Sequence, residues 1–415
     1  MAIVQRPRAQ ARGDVAPPVL PARVASGRLS ATDRLAEGVR ISVELSPIVV
    51  PSRDVVVRAV RDVLGAGAHA RAGRVVTRGR WRFDPTALDE QAERAVRELP
   101  KEYTGDEGLP RLREIAREDL GFTVFLGEDR ASLCIDHRLG DGFFGTMLTS
   151  AVLAGRGTPA VFTNAGDEHP LESALWNTFA RHPRRVASLV GDRWHERRPS
   201  PAAGTVPGER ASLDLVSGTM TSETFRAFAA WSHRKVPPSV AMLFALRAAL
   251  DRVGIPVSDE GSILVDLRRY LPSGRSTLAN FVTGHPVRGG GGVVPAAARF
   301  SRDLRLGRPL AALAVGVATA PWRRHRSVSV PSAATPIVSD MGFLRTLEPL
   351  PWAMPTGGML RVSVDPARRN GVTALTAFLR GRLHVSMSFD ATLFDRAGLE
   401  AACALMCADP IGLLE

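Results

Sequence analysis

The sequence contains few cysteines, and this scarcity excludes two kinds of stabilised protein. Three cysteines in 415 residues cannot build a disulfide framework. Cys403 and Cys407 lie four residues apart on a predicted helix, with no nearby histidine to complete the four ligands of a structural zinc site. We therefore expect reduced cysteines, no bound metal and a cytoplasmic location.

Long apolar runs are also missing. The strongest candidate, residues 310–320, is far shorter than the roughly 20 residues that span a bilayer. Residues 1–27 contain four arginines and several prolines, without the continuous apolar segment of a secretory signal. We expect no membrane span, no secretory signal and a mobile arm over residues 1–27.

Lysine occurs only at positions 101 and 235, so the net charge of +12 comes almost entirely from arginine. The arginines are dispersed in small clusters, and no long basic tract with interleaved aromatic residues is present. We expect no nucleic-acid partner, although a positive field of this kind attracts anionic small molecules and acidic proteins.

A chain of 415 residues is too long for one ordinary hydrophobic core, so two lobes are expected. The stretch 196–211 carries three prolines and two glycines among charged residues, which is typical of a linker. The sequence thus predicts a mobile arm (1–27), an N-terminal lobe (28–195), a linker (196–211) and a C-terminal lobe (212–415).

Helical and strand patterns occur in both halves. Apolar strands at 122–126 and 131–135 flank a polar turn, which predicts a hairpin. Further strands are predicted at 74–83, 263–267, 360–364, 372–379 and 383–389, and helices at 54–64, 88–99, 110–120, 142–153, 236–253 and 393–406.

The segment His137-Arg138-Leu139-Gly140-Asp141-Gly142 joins the second hairpin strand to an apolar helix. A neutral imidazole at such a junction is well suited to remove a proton from an attacking hydroxyl or amine. Asp141 is placed to fix the loop, by backbone hydrogen bonds or by pairing with an arginine. Gly142 permits close backbone approach, and the amides of the helix start are suited to an oxyanion.

Other interpretations of the sequence are weaker. His137 on a surface turn without a function is the simplest alternative. The remaining histidines show no metal-ligand spacing, and residues 289–292 lack the lysine and hydroxyl residue of a phosphate-binding loop. Ser339 has no surrounding glycines of the kind that mark a hydrolase nucleophile.

The His137 segment resembles the HHxxxDG motif of the superfamily of condensation domains and acyl-CoA-dependent acyltransferases. Softer matches follow in the family's order, and the resemblance extends over about residues 29–405. They are Val265-Asp266-Leu267-Arg268-Arg269-Tyr270, Ala279-Asn280-Phe281, Ser339-Asp340-Met341-Gly342 and the strand 383–390.

The resemblance implies an α/β (α+β) fold of two chloramphenicol-acetyltransferase-like lobes, forming a pseudo-dimer around a central tunnel. His137 would be the general base in that tunnel, with Gly142 beside it. Asp141 would be structural and bonded to an arginine, for which Arg74 and Arg268 are the candidates and Arg71 is nearly as good as Arg74. Candidate substrate-binding residues are Asp136, Phe143, Asn280 and Ser339.

The implied activity is acyl transfer to an alcohol or amine, in secondary metabolism. The donor would be acyl-CoA or the phosphopantetheinyl thioester of a separate acyl or peptidyl carrier protein, with no permanently bound cofactor. A monomer is expected, because two fused lobes can complete the site within one chain.

One residue departs from the family pattern. Asp136 stands where the motif has its first histidine, and a carboxylate there could change the orientation of His137. Two alternatives therefore stay open beside the acyltransferase: a free-standing condensation enzyme acting on carrier-bound substrates, and a non-catalytic relative that only binds a carrier.

Overall fold

The computed structural model describes residues 23–155, 162, 166–182, 184–186, 212–320 and 333–415, and the described strands form three sheets. Their orders are β1-β4-β3, β12-β2-β7-β6-β5 and β10-β9-β11-β13-β14-β8. The strands are β1 (Ala25–Arg28), β2 (Arg40–Ser46), β3 (Val75–Thr77), β4 (Arg80–Phe83), β5 (Val96–Glu98), β6 (Phe122–Leu126), β7 (Ala131–Asp136), β8 (Leu213–Met220), β9 (Glu260–Asp266), β10 (Val282–Arg288), β11 (Thr335–Phe343), β12 (Met359–Val364), β13 (Gly371–Leu379) and β14 (Arg382–Asp390).

Helices cover these sheets and bury their apolar faces against them. The described helices are α1 (Ala31–Arg34), α2 (Arg53–Gly65), α3 (Leu88–Ala95), α4 (Gly105–Gly108), α5 (Leu112–Ile115), α6 (Gly142–Ala154), α7 (Pro170–Leu175), α8 (Ser222–Lys235), α9 (Pro238–Arg252), α10 (Val293–Leu306), α11 (Arg308–Thr319) and α12 (Arg396–Ala408). None of the helices in the described ranges has the length and apolar character needed to cross a membrane.

The predicted hairpin of β6 and β7 is confirmed, with Phe122 opposite Ile135. The prediction of one strand over 74–83 is wrong, because Arg78 and Gly79 adopt φ angles of 44° and 75° and turn the chain between β3 and β4. The prediction of a helix over 110–120 is also wrong, since a 3-10 turn (Leu109–Arg111) and the single turn α5 form there and the helix ends at Ile115. Residues 25–27 of the predicted arm belong to β1, and the predicted linker 196–211 lies outside the described residues.

Strand β12 comes late in the chain but pairs with β2 in the sheet of the N-terminal half, from Met359 opposite Ser46 to Val364 opposite Ile41. Its other edge faces β14. Three of its backbone amides donate to side chains of that strand: Leu360 to His384 Nδ1 (3.4 Å), Val362 to Ser386 Oγ (3.1 Å) and Val364 to Ser388 Oγ (3.2 Å). Side chains of one sheet thus satisfy the edge of the other.

A buried ion cluster also joins the two sheets. Arg361 of β12 donates to Glu44 of β2 (2.8 Å) and to Asp106 of α4 (2.8 Å). Asp106 in turn accepts from the backbone amide and hydroxyl of Ser217 on β8 (2.7 and 2.6 Å). Glu44 is fully buried, so its charge depends on this arginine. The cluster fixes the relative position of elements from both halves of the chain.

His384 makes the stability of this junction depend on pH. Burial lowers the pKa of its imidazole to about 4, and its Nε2 donates to the Leu379 carbonyl (3.2 Å). As pH falls from about 6.5 to about 4, His384 therefore becomes protonated in the unfolded chain but stays neutral in the folded protein. Over this window wild type should lose about 3 kcal/mol of unfolding free energy through His384, and a His384→Gln variant should not. Urea unfolding from pH 7 to pH 4 checks this; parallel curves for the two proteins would contradict it.

Candidate active site

His137 lies where β7 ends and the loop to α6 begins. Its backbone amide donates to the Val39 carbonyl (3.1 Å), and its side chain is half-buried. Asp141 is the N-cap of α6, and its carboxylate accepts from the backbone amide of Phe143 (3.1 Å). A rigid strand and a capped helix therefore hold the five-residue segment that carries the imidazole.

Arg268 forms a two-point ion pair with Asp141. Its Nη1 and Nη2 donate to the two carboxylate oxygens at 2.8 and 3.1 Å. Asp141 also accepts from the backbone amide of Phe281 (3.0 Å). The guanidinium is held in turn by the carbonyls of Thr277 and Ala279. The segments 266–281 and 136–142 are thereby locked together.

This environment keeps Asp141 ionised. Burial alone would raise the pKa of the carboxyl, but Arg268 and the Phe281 amide hold it below its usual value. Both oxygens are occupied by donors, and the side chain is 1% exposed. Asp141 is therefore a structural anchor rather than a proton acceptor.

The expectation that Arg74 or Arg71 pairs with Asp141 is wrong. The Arg74 guanidinium donates to the Ala68 carbonyl (2.6 Å) and to Glu168 (2.8 Å), and it stacks over the Trp81 ring. These contacts direct it away from the loop. Of the predicted arginine partners, Arg268 is the one that contacts Asp141.

Arg71 has a different part in the site, which the sequence does not reveal. It forms a buried ion pair with Asp33 (2.6 Å) and donates to the carbonyls of Arg138 (3.2 Å) and Leu139 (2.5 Å). Arg71 adopts a left-handed φ of 69°, which non-glycine residues rarely do. A second buried ion pair thus holds the histidine loop, through the carbonyls of Arg138 and Leu139. No local pattern indicates a pair whose members lie so far apart in the sequence.

Asn280 contacts the imidazole directly. Its Nδ2 lies 3.2 Å from Nδ1 of His137, and its backbone amide donates to Asp33 (3.1 Å). In the described part of the chain, Nε2 of His137 has no hydrogen-bond partner. The ring thus has one nitrogen engaged by the protein and one available for chemistry.

The other candidate substrate-binding residues are Asp136, Phe143 and Ser339, and each has different contacts. Asp136 accepts from Arg138 through both oxygens (2.6 and 3.0 Å), so its charge is neutralised by its own neighbour. Phe143 packs against the Arg268 guanidinium, 4.9 Å from ring centroid to Cζ. Ser339 is half-buried on β11, two residues before Met341, whose side chain packs over Gly142. No hydrogen bond joins Ser339 to His137 among the described residues.

The two glycines of the loop differ in the space around them. A Cβ added at Gly140 would lie 2.5 Å from the Leu278 carbonyl oxygen, whereas at Gly142 it would meet the end of the Met341 side chain at 2.7 Å. The backbone carbonyl of Leu278 cannot move without shifting the main chain, whereas the flexible side chain of Met341 can change its conformation at little cost in free energy. We expect Gly140→Ala to cost about 1–3 kcal/mol of unfolding free energy and Gly142→Ala less than about 1. Chemical denaturation of the pair tests this, and equal losses would contradict it.

The described side chains include no group of three histidine, cysteine, aspartate or glutamate residues arranged to hold a metal ion. The free cysteines lie elsewhere. Cys134 is buried in β7, and Cys403 and Cys407 lie on α12.

No protein-family model and no curated protein matches the sequence. Solved structures match it over almost the whole chain. The trichothecene 15-O-acetyltransferase of Fusarium sporotrichioides has a TM-score of 0.62 at 13% identity, covering 93% of this chain and 95% of its own. Polyketide synthase associated protein 5 of Mycobacterium tuberculosis gives 0.55 at 14%, covering 93% and 98%.

The first condensation domain of the calcium-dependent antibiotic synthetase, in complex with a substrate analogue, gives a TM-score of 0.58 at 17% identity, covering 92% of this chain and 96% of its own. Identities this low establish the fold only, and the predicted fold class is confirmed. The chain has the α/β fold of these acetyltransferase and condensation-domain structures.

Proposed function

We propose that this protein transfers an acyl group from a thioester to a hydroxyl or amine acceptor, with His137 as the general base. The observation that carries the proposal is the imidazole itself: it is half-buried, fixed at one nitrogen and without a partner at the other among the described residues. The likeness to an acetyltransferase and to condensation domains supports the same class of reaction.

The reaction needs one proton acceptor and a stabilised oxyanion. As the acceptor oxygen or nitrogen bonds to the thioester carbonyl carbon, His137 takes its proton and negative charge develops on the carbonyl oxygen. When the carbon–sulfur bond breaks, the imidazolium returns the proton to the leaving thiolate. Amides at the start of α6, other than that of Phe143, which donates to Asp141, would supply donors for the oxyanion.

The donor is coenzyme A or the phosphopantetheine of a separate carrier protein. The net charge of +12 supports either anionic donor. A free-standing condensation enzyme would use the same base on carrier-bound substrates.

The test is release of free thiol from a panel of acyl-CoAs, with pooled alcohols and amines as acceptors. Acceptor-dependent release would support acyl transfer and identify the donor class. If no acyl-CoA reacts, carrier-bound thioesters should be tried next. Absence of release from both kinds of thioester would overturn the proposal and favour the non-catalytic carrier-binding alternative that Asp136 leaves open.

A further inference from the structure

We infer that the side-chain amide of Asn280 holds His137 in the tautomer that carries its proton on Nδ1, which makes Nε2 the catalytic base. This inference rests on the proposed function for its consequence in catalysis. Its structural part, the tautomer of the ring, can be measured without any substrate.

Asn280 is one of the most firmly placed residues at the site. Its own backbone amide donates to Asp33, and the amide of the next residue, Phe281, donates to Asp141. Each of these carboxylates is 1% exposed and is paired with an arginine, Arg71 or Arg268. The side chain of Asn280 is itself 8% exposed, so it cannot move freely away from the ring.

The amide of Asn280 has two orientations, related by a half-turn that exchanges its oxygen and nitrogen. With Nδ2 toward the ring, at 3.2 Å from Nδ1, the amide donates and requires an unprotonated Nδ1. Oδ1 is then buried without any hydrogen-bond partner. With Oδ1 toward the ring, the amide accepts from a protonated Nδ1, and Nε2 keeps its lone pair.

The catalytic cycle discriminates between these orientations. The neutral ring must present a lone pair to the hydroxyl or amine substrate, and after proton transfer both ring nitrogens carry hydrogen. Only a hydrogen-bond acceptor beside Nδ1 is compatible with both states, because an amide N–H would oppose the N–H of the imidazolium. Since Nε2 has no partner in the described ranges and Nδ1 faces Asn280, the geometry assigns proton transfer to Nε2.

Asn280 is thus a positioning residue that acts through His137. An acceptor beside the second imidazole nitrogen fixes both the tautomer and the ring orientation of a catalytic histidine. Loss of this hydrogen-bond acceptor leaves the ring free to rotate and allows the unreactive tautomer, in which Nε2 carries the proton. This effect lowers kcat with little change in KM, because it alters the base and not substrate contacts.

The experiment compares Asn280→Leu and Asn280→Asp with wild type in the full-length protein. Long-range 1H–15N NMR of histidine-labelled protein distinguishes the two tautomers, and the His137→Ala spectrum assigns the signal. We expect protonated Nδ1 in wild type and in Asn280→Asp, because a carboxylate can only accept. We expect loss of that tautomer in Asn280→Leu, with kcat about 10²- to 10⁴-fold lower. Asn280→Asp should recover a substantial part of this loss.

Asn370→Leu is the matched control. Asn370 is equally buried, but its amide donates to the Ala333 carbonyl (2.8 Å) and to Thr335 (3.0 Å) at the start of β11. Its replacement should leave the His137 tautomer unchanged. Protonated Nε2 with unprotonated Nδ1 in wild type would overturn the inference, and so would an unchanged tautomer in folded Asn280→Leu. The expected tautomers without thiol release would instead reject the proposed function and retain the structural assignment.

Discussion

His137→Ala should lower the rate of acceptor-dependent thiol release about 10²- to 10⁴-fold, which is the range that positioned general bases contribute. Among the described residues, the imidazole has a nitrogen without a hydrogen-bond partner, which is available for proton transfer. Asp141 cannot replace it, because Arg268 and two backbone amides occupy its oxygens. The measurement is the initial rate of thiol release with the best donor and acceptor. The rates should be compared at equal concentrations of folded protein.

A surface histidine provides the control for this substitution. His233 is exposed on α8, so His233→Ala should retain the wild-type rate. Full activity in a folded His137→Ala variant would reject the imidazole as the base. Residual slow release would reflect donor and acceptor held together at a site that has lost its proton acceptor.

Arg268→Met should lower the free energy of unfolding by about 3–5 kcal/mol and abolish most activity. Removing one member of a buried ion pair leaves the other charge without compensation, and this is the larger part of the cost. Asp141 is 1% exposed, and its remaining donors are the amides of Phe143 and Phe281. Activity should fall because the same carboxylate caps the helix that follows the His137 loop. Chemical denaturation and thiol release measure the two effects.

Two further variants make this prediction specific. Arg269 is the exposed neighbour of Arg268, and Arg269→Met should change stability by less than about 0.5 kcal/mol. The double variant Asp141→Asn/Arg268→Met should lose less than the sum of the single losses, because it removes both charges together. Strict additivity would show that the pair contributes nothing as a pair.

The sequence predicts the part of the site that is local in the chain. The strand ending at Asp136 and the helix beginning at Gly142 both follow from short-range patterns, and they place His137 at a rigid junction. The strands 360–364, 372–379 and 383–389 are likewise confirmed almost residue for residue. Strong β-patterns with clear turns between them survive the tertiary environment.

The contacts that lock the site are not local, and the sequence predicts them poorly. Arg268 and Asp141 lie 127 residues apart, and Asn280 and Asp33 lie 247 apart. Nothing near Asp33 distinguishes it from any acidic residue in the first turn of a helix. Arg74 resembles a partner for Asp141 in the sequence, yet the fold directs it to Glu168 and Trp81. Such choices follow from how the halves pack, which local patterns do not encode.

The pairing of β12 with the sheet of the N-terminal half has a consequence for protein engineering. A cut between residues 196 and 211 would separate β12 from β2, so an isolated N-terminal fragment would expose the edge of β2 to aggregation. The matching fragment would carry β12 with no strand to pair with. In a chimaera of two related proteins, residues 359–364 should therefore come from the parent that supplies β2, whatever the source of the remaining C-terminal residues. Fragments produced together should complement each other, because the C-terminal fragment holds the strand that the sheet of the N-terminal fragment requires.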